Sequence, residues 1–180
     1  MLPSNHEQAE AIFTAKRYYD TLQNGMGDDN QQTLVFNDLV LLATGCAGGR
    51  TSQLMEKVNQ SLPLRRQYMS LVKQFAYEVS PAQAAASSTE TLEGRTTDKF
   101  SLSFSRDPVS PSQIYVILAV HFPTEKQMKN GVTVHIELGD VLQQLKLPPL
   151  IDNKTQGLFE ESSAALQALL HHDASIVITD

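Results

Sequence analysis

The chain has 180 residues, a formal net charge of −6, one cysteine and no tryptophan. Hydrophobic residues make up 41% of it, an ordinary fraction for a globular protein, whereas charged residues make up only 19%. This balance argues against disorder of the whole chain, which requires low hydrophobicity together with high net charge. It also argues against nucleic-acid binding, because the field of Lys and Arg that displaces counterions is missing.

The single cysteine, Cys46, excludes an intramolecular disulfide and any metal or iron–sulfur site built from several cysteines. The polar N-terminal residues lack the charged-then-apolar profile of a secretory signal. Apolar runs stay well short of the ~18 residues of a membrane span. We therefore expect a cytoplasmic protein with no membrane insertion; a secreted product whose signal has been removed is the alternative.

The first 79 residues carry helical spacing. A first helix is predicted after Ser4, which stands at capping-box distance from Glu7, and apolar residues then recur with the period of an amphipathic helix. The same spacing predicts three further helices, over residues 34–45, 51–60 and 64–79.

Residues 80–98 show no sustained apolar period and contain runs of Ala, Ser and Thr. Such a stretch cannot bury enough apolar surface to offset its ordering entropy. We interpret it as a linker or a long mobile loop.

From residue 99 the apolar spacing changes to two, which is typical of strands. Three strands are predicted as one antiparallel meander, over residues 100–104, 114–122 and 132–138. The meander is followed by a short helix after Gly139-Asp140, a last helix starting at Thr155, and a terminal strand over 175–179. Residues 123–131 are interpreted as a charged loop.

We therefore predict an α+β fold, in which N-terminal helices are followed by a mainly antiparallel sheet of three to four strands with one face covered by helices. The expected parts are a helical part at 1–79, the linker at 80–98, and a sheet with a C-terminal helix at 99–180. Together they are expected to form one compact domain, with a separate helical bundle as the alternative.

A glycine-containing loop at Gly45, Gly49, Arg50 and Thr51 resembles a phosphate-binding loop in its parts. Such a loop cradles phosphates with successive backbone amides and places a Lys on them. Here the two glycines stand four residues apart rather than five, and Arg replaces Lys. We interpret the segment as a helix–helix connection and predict no cofactor.

Two other polar features are candidate sites. Cys46 precedes a predicted helix, but no histidine can be placed beside it, so we interpret it as an incidental thiol. His171, His172 and Asp173 follow one another at the end of a predicted helix. Adjacent helical residues point ~100° apart and rarely chelate one ion together, so the imidazoles are interpreted as partners of the helix C-terminus and no metal site is predicted.

The sheet carries the catalytic candidates. If the even residues of its strands face the core, the odd residues share the opposite face. That arrangement would gather Ser103, His121, His135 and Glu137, residue types used in nucleophilic and acid–base catalysis. A solvated antiparallel face has the same alternation of small and polar side chains.

The leading functional hypothesis is a non-enzymatic protein–protein interaction module, such as an adaptor, a small chaperone or a structural subunit. Its expected partner is another protein, and a homodimer paired through the terminal strand or a sheet edge is a further expectation. The alternative is a small enzyme or small-ligand-binding domain that uses the polar outer face of the sheet. An exposed apolar patch favours the first hypothesis, and a concave polar pocket favours the second.

Overall fold

A computed structural model describes residues 12, 13, 16, 34–81 and 94–179. The chain folds as two compact units, Met1–Tyr77 and Glu78–Asp180. The predicted first helix lies outside the described residues except for Ile12, Phe13 and Lys16, which are helical. Most of the predicted linker, residues 82–93, lies outside them as well.

The first unit is helical, as the apolar spacing predicts. Its helices pack on one another and bury one stripe each, with Leu39, Leu42, Val58, Tyr68 and Leu71 fully enclosed. Burial raises the pKa of the Tyr68 phenol well above its usual range. The elements are α1 (Phe36–Ala43), a 3₁₀ turn (Gly48–Arg50), α2 (Thr51–Asn59) and α3 (Leu62–Gln74).

Helix α3 stops short of its predicted end. Pro63 lies in its first turn, where the missing amide hydrogen costs little. The helix ends at Gln74, and strand β1 (Ala76–Ser80) follows. The prediction of a helix to Val79 is therefore wrong over its last residues, because an apolar residue at helical spacing fits equally well into a strand.

The second unit contains two four-stranded antiparallel sheets. The first sheet has the order β1-β8-β5-β6, and the second sheet has the order β2-β3-β4-β7. The strands that follow β1 are β2 (Arg95–Thr96), β3 (Phe100–Arg106), β4 (Gln113–Val120), β5 (Val132–Leu138), β6 (Val141–Leu147), β7 (Lys154–Glu160) and β8 (Ser175–Thr179).

The two sheets come close to each other at Gly157 of β7. Gly157 pairs with Val116 of β4, whose even-numbered residues are all buried. A Cβ added at Gly157 would lie 3.1 Å from a methyl group of Leu147, which belongs to β6 of the first sheet. Helix α5 (Ala164–Leu170), capped by the Ser163 side chain, packs on β5 and β6. The predicted α+β class, with helices packed on antiparallel sheet, is confirmed.

Strand β5 does not continue the predicted meander. Strands β3 and β4 do pair as an antiparallel hairpin, with Phe100 opposite Val120. Strand β5 pairs instead with β6 and β8 in the first sheet. Residues 123–131 form helix α4 (Glu125–Asn130) rather than a loop, with a capping box between Thr124 and Gln127. This helix separates β4 from β5, and the two strands enter different sheets.

Two predicted helices are strands. Gly139 takes a positive φ of 56° at the first central position of the two-residue turn that joins β5 to β6, as in a type II′ hairpin. The helix predicted after Gly139-Asp140 is therefore strand β6. The segment from Thr155 begins with β7, and helix α5 starts only at Ala164. Residue types that cap helices also occur in turns, so the local sequence at Gly139-Asp140 and Thr155 is compatible with a helix start and with a turn.

The predicted terminal strand, β8, is confirmed. Its position in the sheet determines whether it could pair with a second copy of the chain. It lies between β1 and β5, so both of its sides are paired within the chain. This strand therefore offers no free edge for pairing with a second copy, and the homodimer itself stays a prediction. Within the described residues, no helix is both long and apolar enough to cross a bilayer.

Candidate functional site

The glycine-containing loop connects two helices, as interpreted from its spacing. The apolar run before it is helix α1, not the strand that precedes a phosphate-binding loop. Arg50 donates to the carboxylate of Asp38 over 3.0 Å, and the Thr51 hydroxyl donates to the carbonyl of Gly48. Gly45 and Gly48 have positive φ values, whereas φ of Gly49 is not positive. The side chains that a phosphate would need are thus engaged in forming the connection.

Cys46 lies in the same connection. It is an exposed free thiol whose amide donates to the carbonyl of Leu41 and whose sulfur lies 3.4 Å from the Thr44 carbonyl oxygen. The backbone contact closes helix α1. Among the described residues, no basic side chain forms a hydrogen bond with this thiol.

The four catalytic candidates are divided between the two sheets. Ser103 lies on β3, and His121 directly follows β4 in the second sheet; His135 and Glu137 lie on β5 in the first sheet. The expectation that they share one face is therefore wrong. Ser103 also pairs with Ile117, four residues before His121, which separates the two by ~13 Å along the strand direction.

His135 lies in the interior and contacts a neighbouring strand. It is 1% exposed, and its Nε2 lies 2.8 Å from the hydroxyl oxygen of Thr179 on β8. His121, by contrast, is exposed, and its Nδ1 lies 2.9 Å from the carbonyl oxygen of Asp98. Glu137 accepts a hydrogen bond from Ser175 over 3.2 Å. Each of these three side chains thus helps to join neighbouring segments.

The outer face of the second sheet does match the predicted alternation. The odd-numbered residues of β3 and β4 and the even-numbered residues of β7 are partly or fully exposed, and the two central cross-strand rows among them carry no charge. The rows are Ser103–Ile117–Gln156 and Ser105–Tyr115–Leu158. This face offers hydroxyl groups and apolar area to a contacting molecule, but it does not bring an acid and a base together.

A second exposed feature lies at one end of this sheet. Phe122, Met128 and Ile151, here named the end patch, are 71%, 46% and 76% exposed. Phe122 comes just after β4, Met128 lies on α4, and Ile151 lies in the connection between β6 and β7. Three large apolar side chains in three different segments are thus presented to solvent.

Backbone hydrogen bonds hold these three segments together. The amide of Val120, at the end of β4, donates to the carbonyl of Asn153 over 2.8 Å. The amide of Leu150 donates to the carbonyl of Gln127 on α4 over 3.3 Å. The three residues of the end patch therefore lie in segments that are hydrogen-bonded to one another.

A third feature is the turn between α5 and β8. His171 follows the last residue of α5 with an extended backbone, so His171, His172 and Asp173 lie outside the helix. The two imidazole rings stack with centroids 4.7 Å apart, and Nε2 of His172 lies 3.2 Å from Asp173 Oδ1. The predicted helical geometry, in which adjacent side chains diverge, does not apply here.

The backbone of this turn is held by a buried arginine. Arg95 of β2 is buried and donates to the carbonyl of Ala174 over 2.6 Å and to the carbonyl of His171 over 2.7 Å. Burial lowers the pKa of this guanidinium below its usual range. Sequence reasoning missed both contacts, because they join residues 79 and 76 positions apart in the chain.

The chain therefore presents an apolar end patch, an outer sheet face whose central rows are uncharged, and a histidine turn held by Arg95. Comparison with protein-family models, curated proteins and solved structures finds no significant match.

Proposed function

We propose that the protein is a protein–protein interaction module whose main contact surface is the end patch. The observation that carries the proposal is the joint exposure of Phe122 and Ile151, at 71% and 76%, in adjacent segments. Single exposed apolar residues are normal, whereas a group of large ones marks sites of interaction.

The rigid backbone beneath the end patch supports this role. Ile151 and Lys154 exchange backbone hydrogen bonds of 2.8 and 2.9 Å around Asp152 and Asn153, both with positive φ. This is the geometry of a type I′ turn, which fixes the position of Ile151. Helix α4 is fixed by its capping box. A preorganised surface loses less conformational entropy on binding.

The surroundings of the end patch are polar and carry both signs of charge. Helix α4 contributes Lys126 and the ion pair between Lys129 and Glu125, and the turn contributes Asp152 and Lys154. An apolar centre with a polar, charged rim is the usual anatomy of a protein interface. The partner that fits is accordingly a protein with an apolar groove and a charged margin.

The alternative of a small enzyme or ligand-binding domain has less support. It depended on a shared face for Ser103, His121, His135 and Glu137, and these residues lie on two sheets. The outer sheet face keeps the apolar and hydroxyl character of a contact surface, which agrees better with the binding of a protein.

The proposal is tested with the double variant Phe122→Ser/Ile151→Ser. Both changes affect exposed side chains, so we expect the free energy of unfolding to change by only ~0.5 kcal/mol per site. The matched control is Val109→Ser, an 87% exposed residue in the β3–β4 hairpin at the opposite end of the sheet. Circular dichroism melts of all three proteins establish that the fold is retained.

Binding is then measured by quantitative mass spectrometry of proteins that co-purify from cells of the source organism. We expect the wild type and Val109→Ser to retain a common partner that the double variant loses. With that partner purified, its Kd should rise at least about tenfold for the double variant, the loss expected on removing central apolar anchors. Equal retention by all three proteins would contradict the proposal.

A further inference from the structure

We propose that the turn His171–Asp173 is a binding site for one divalent transition-metal ion of the Zn²⁺ class. This site is separate from the end patch and does not depend on the proposed function. Each of its three residues offers one ligand atom, and the three atoms lie within 4.8 Å of one another.

The donor set suits such an ion. Zn²⁺ takes imidazole nitrogens and carboxylate oxygens at ~2.0–2.2 Å, which places neighbouring ligand atoms ~3.3 Å apart in tetrahedral geometry. Nε2 of His172 and Oδ1 of Asp173 are already 3.2 Å apart, and Nδ1 of His171 lies 3.8 Å from Oδ2 of the same carboxylate. Rotation of these exposed side chains, which must also separate the stacked imidazole rings, would bring all three atoms onto one ion.

Nδ1 of His171 lies 3.2 Å from the amide nitrogen of Asp173, which donates to it. A bound metal would replace this hydrogen bond. Two imidazoles with one carboxylate are typical of Zn²⁺, Ni²⁺ or Cu²⁺ sites, whereas Mg²⁺ and Ca²⁺ prefer oxygen ligands alone.

The backbone of the site is fixed before any ion arrives. Arg95 donates to the carbonyls of His171 and Ala174, and the amide of Ala174 donates to the carbonyl of His171 over 3.1 Å. These contacts leave mainly side-chain rotation as the entropic cost of chelation. Three protein ligands leave a coordination position open for water.

The test uses protein without an affinity tag in a Cys46→Ser background, because the exposed thiol of Cys46 would bind the same ions. Zn²⁺ from zinc chloride is titrated by calorimetry at pH 7.5 and again in competition with a chromophoric chelator. The site variants are His171→Ala/His172→Ala and Asp173→Asn. The matched control is His121→Ala, which removes an exposed histidine outside the turn.

We expect one ion per chain, with a micromolar Kd, for the parent and for His121→Ala. The double histidine variant should lose this binding, and Asp173→Asn should weaken it about tenfold or more. Affinity should fall from pH 7.5 to pH 5.5, because the imidazoles must be neutral to ligate. In ¹H–¹⁵N spectra of the histidine rings, Zn²⁺ should shift His171 and His172 but not His121.

Three results would overturn the proposal: no saturable binding by the parent, equal binding by the double histidine variant, or half an ion per chain with a dimer in light scattering. The last would place the ion between two molecules rather than in one turn. Thermal melts without metal show that each variant folds, so that a loss of binding can be assigned to the ligands.

Discussion

Replacing Gly131 by Ala is expected to destabilise the fold strongly, for two independent reasons: an unfavourable backbone conformation and a steric clash. Gly131 joins helix α4 to strand β5 with φ 85° and ψ −167°, a region that only glycine adopts readily. A Cβ at this position would also lie 2.3 Å from the carbonyl oxygen of Leu147 and 2.9 Å from the carbonyl carbon of Pro148. Both neighbours are backbone atoms, so the clash cannot be relieved by a side-chain rotation.

The magnitude follows from the two contributions. The backbone conformation costs ~1–3 kcal/mol for a non-glycine residue. Relief of the contact requires the end of β6 to move, at a position where Leu147 pairs with Val132. The loss of that pairing and its packing brings the expected decrease in the free energy of unfolding to ~3–5 kcal/mol, in the range reserved for strain and overpacking.

Gly139→Ala is the matched control. Gly139 has a positive φ of 56°, but a Cβ there would meet no atom within 4 Å. Its cost is therefore the left-handed backbone alone, ~1–2 kcal/mol. Urea-induced unfolding followed by far-ultraviolet circular dichroism compares the two variants with the wild type. A Gly131→Ala variant within ~1 kcal/mol of Gly139→Ala would refute the argument that backbone contact dominates.

Two further predictions concern residues that sequence spacing could not interpret. Replacing the buried His135 by Ala removes its contact with Thr179 and leaves a cavity, so urea titration should show a loss of ~2–4 kcal/mol; an unchanged midpoint would contradict the structural role given to His135. The Arg106 guanidinium holds the pKa of Glu161 below its usual value of 4.5, so the ionised carboxylate stabilises the fold above that pH. Glu161→Gln should therefore lower the melting temperature at pH 7, with the difference closing as the pH falls below 4.5, and a difference that persists in acid would show that the ion pair is not its source.

The elements predicted well are those whose periodicity is long and unambiguous. The helices over 36–74 each bury a stripe at helical spacing, and β4 is almost entirely apolar on its inner face. Strand β8 is a short apolar run whose Ile176, Val177 and Ile178 are all buried. In each case the burial pattern is local to the element, and spacing alone reports it.

The wrong predictions of secondary structure lie where a residue type is common both at helix starts and in turns. Gly139-Asp140 fits a helix start as well as a type II′ hairpin, and only the pairing of β5 with β6 decides between them. The same holds for Thr155, whose hydroxyl donates to the carbonyl of Pro148 within a strand rather than capping a helix. Pairing with a distant strand decides between helix and strand at these positions. A single sequence does not show which strands pair.

The candidate sites show the same limit more sharply. The alternation of residues along β3 correctly predicts that Ser103 is exposed. His135 is buried instead, because β5 lies inside the first sheet, between β8 and β6. The end patch depends on hydrogen bonds that join three segments, and none of its residues is unusual in its own segment. The spacing of apolar residues predicts on which face of its own strand a residue lies. It does not show which faces of different strands or segments lie side by side.

The histidine turn shows how one distant contact can change the chemistry available to a segment. On a continued helix, His171 and His172 would diverge by ~100°, an arrangement that rarely allows two adjacent side chains to bind one ion. The helix ends instead at Leu170, and Arg95 fixes the next residues through the carbonyls of His171 and Ala174. A buried cation thus determines the backbone on which three exposed ligand groups converge. The metal-binding experiment therefore also tests whether residues 76 and 79 positions away can create a site that local geometry disfavours.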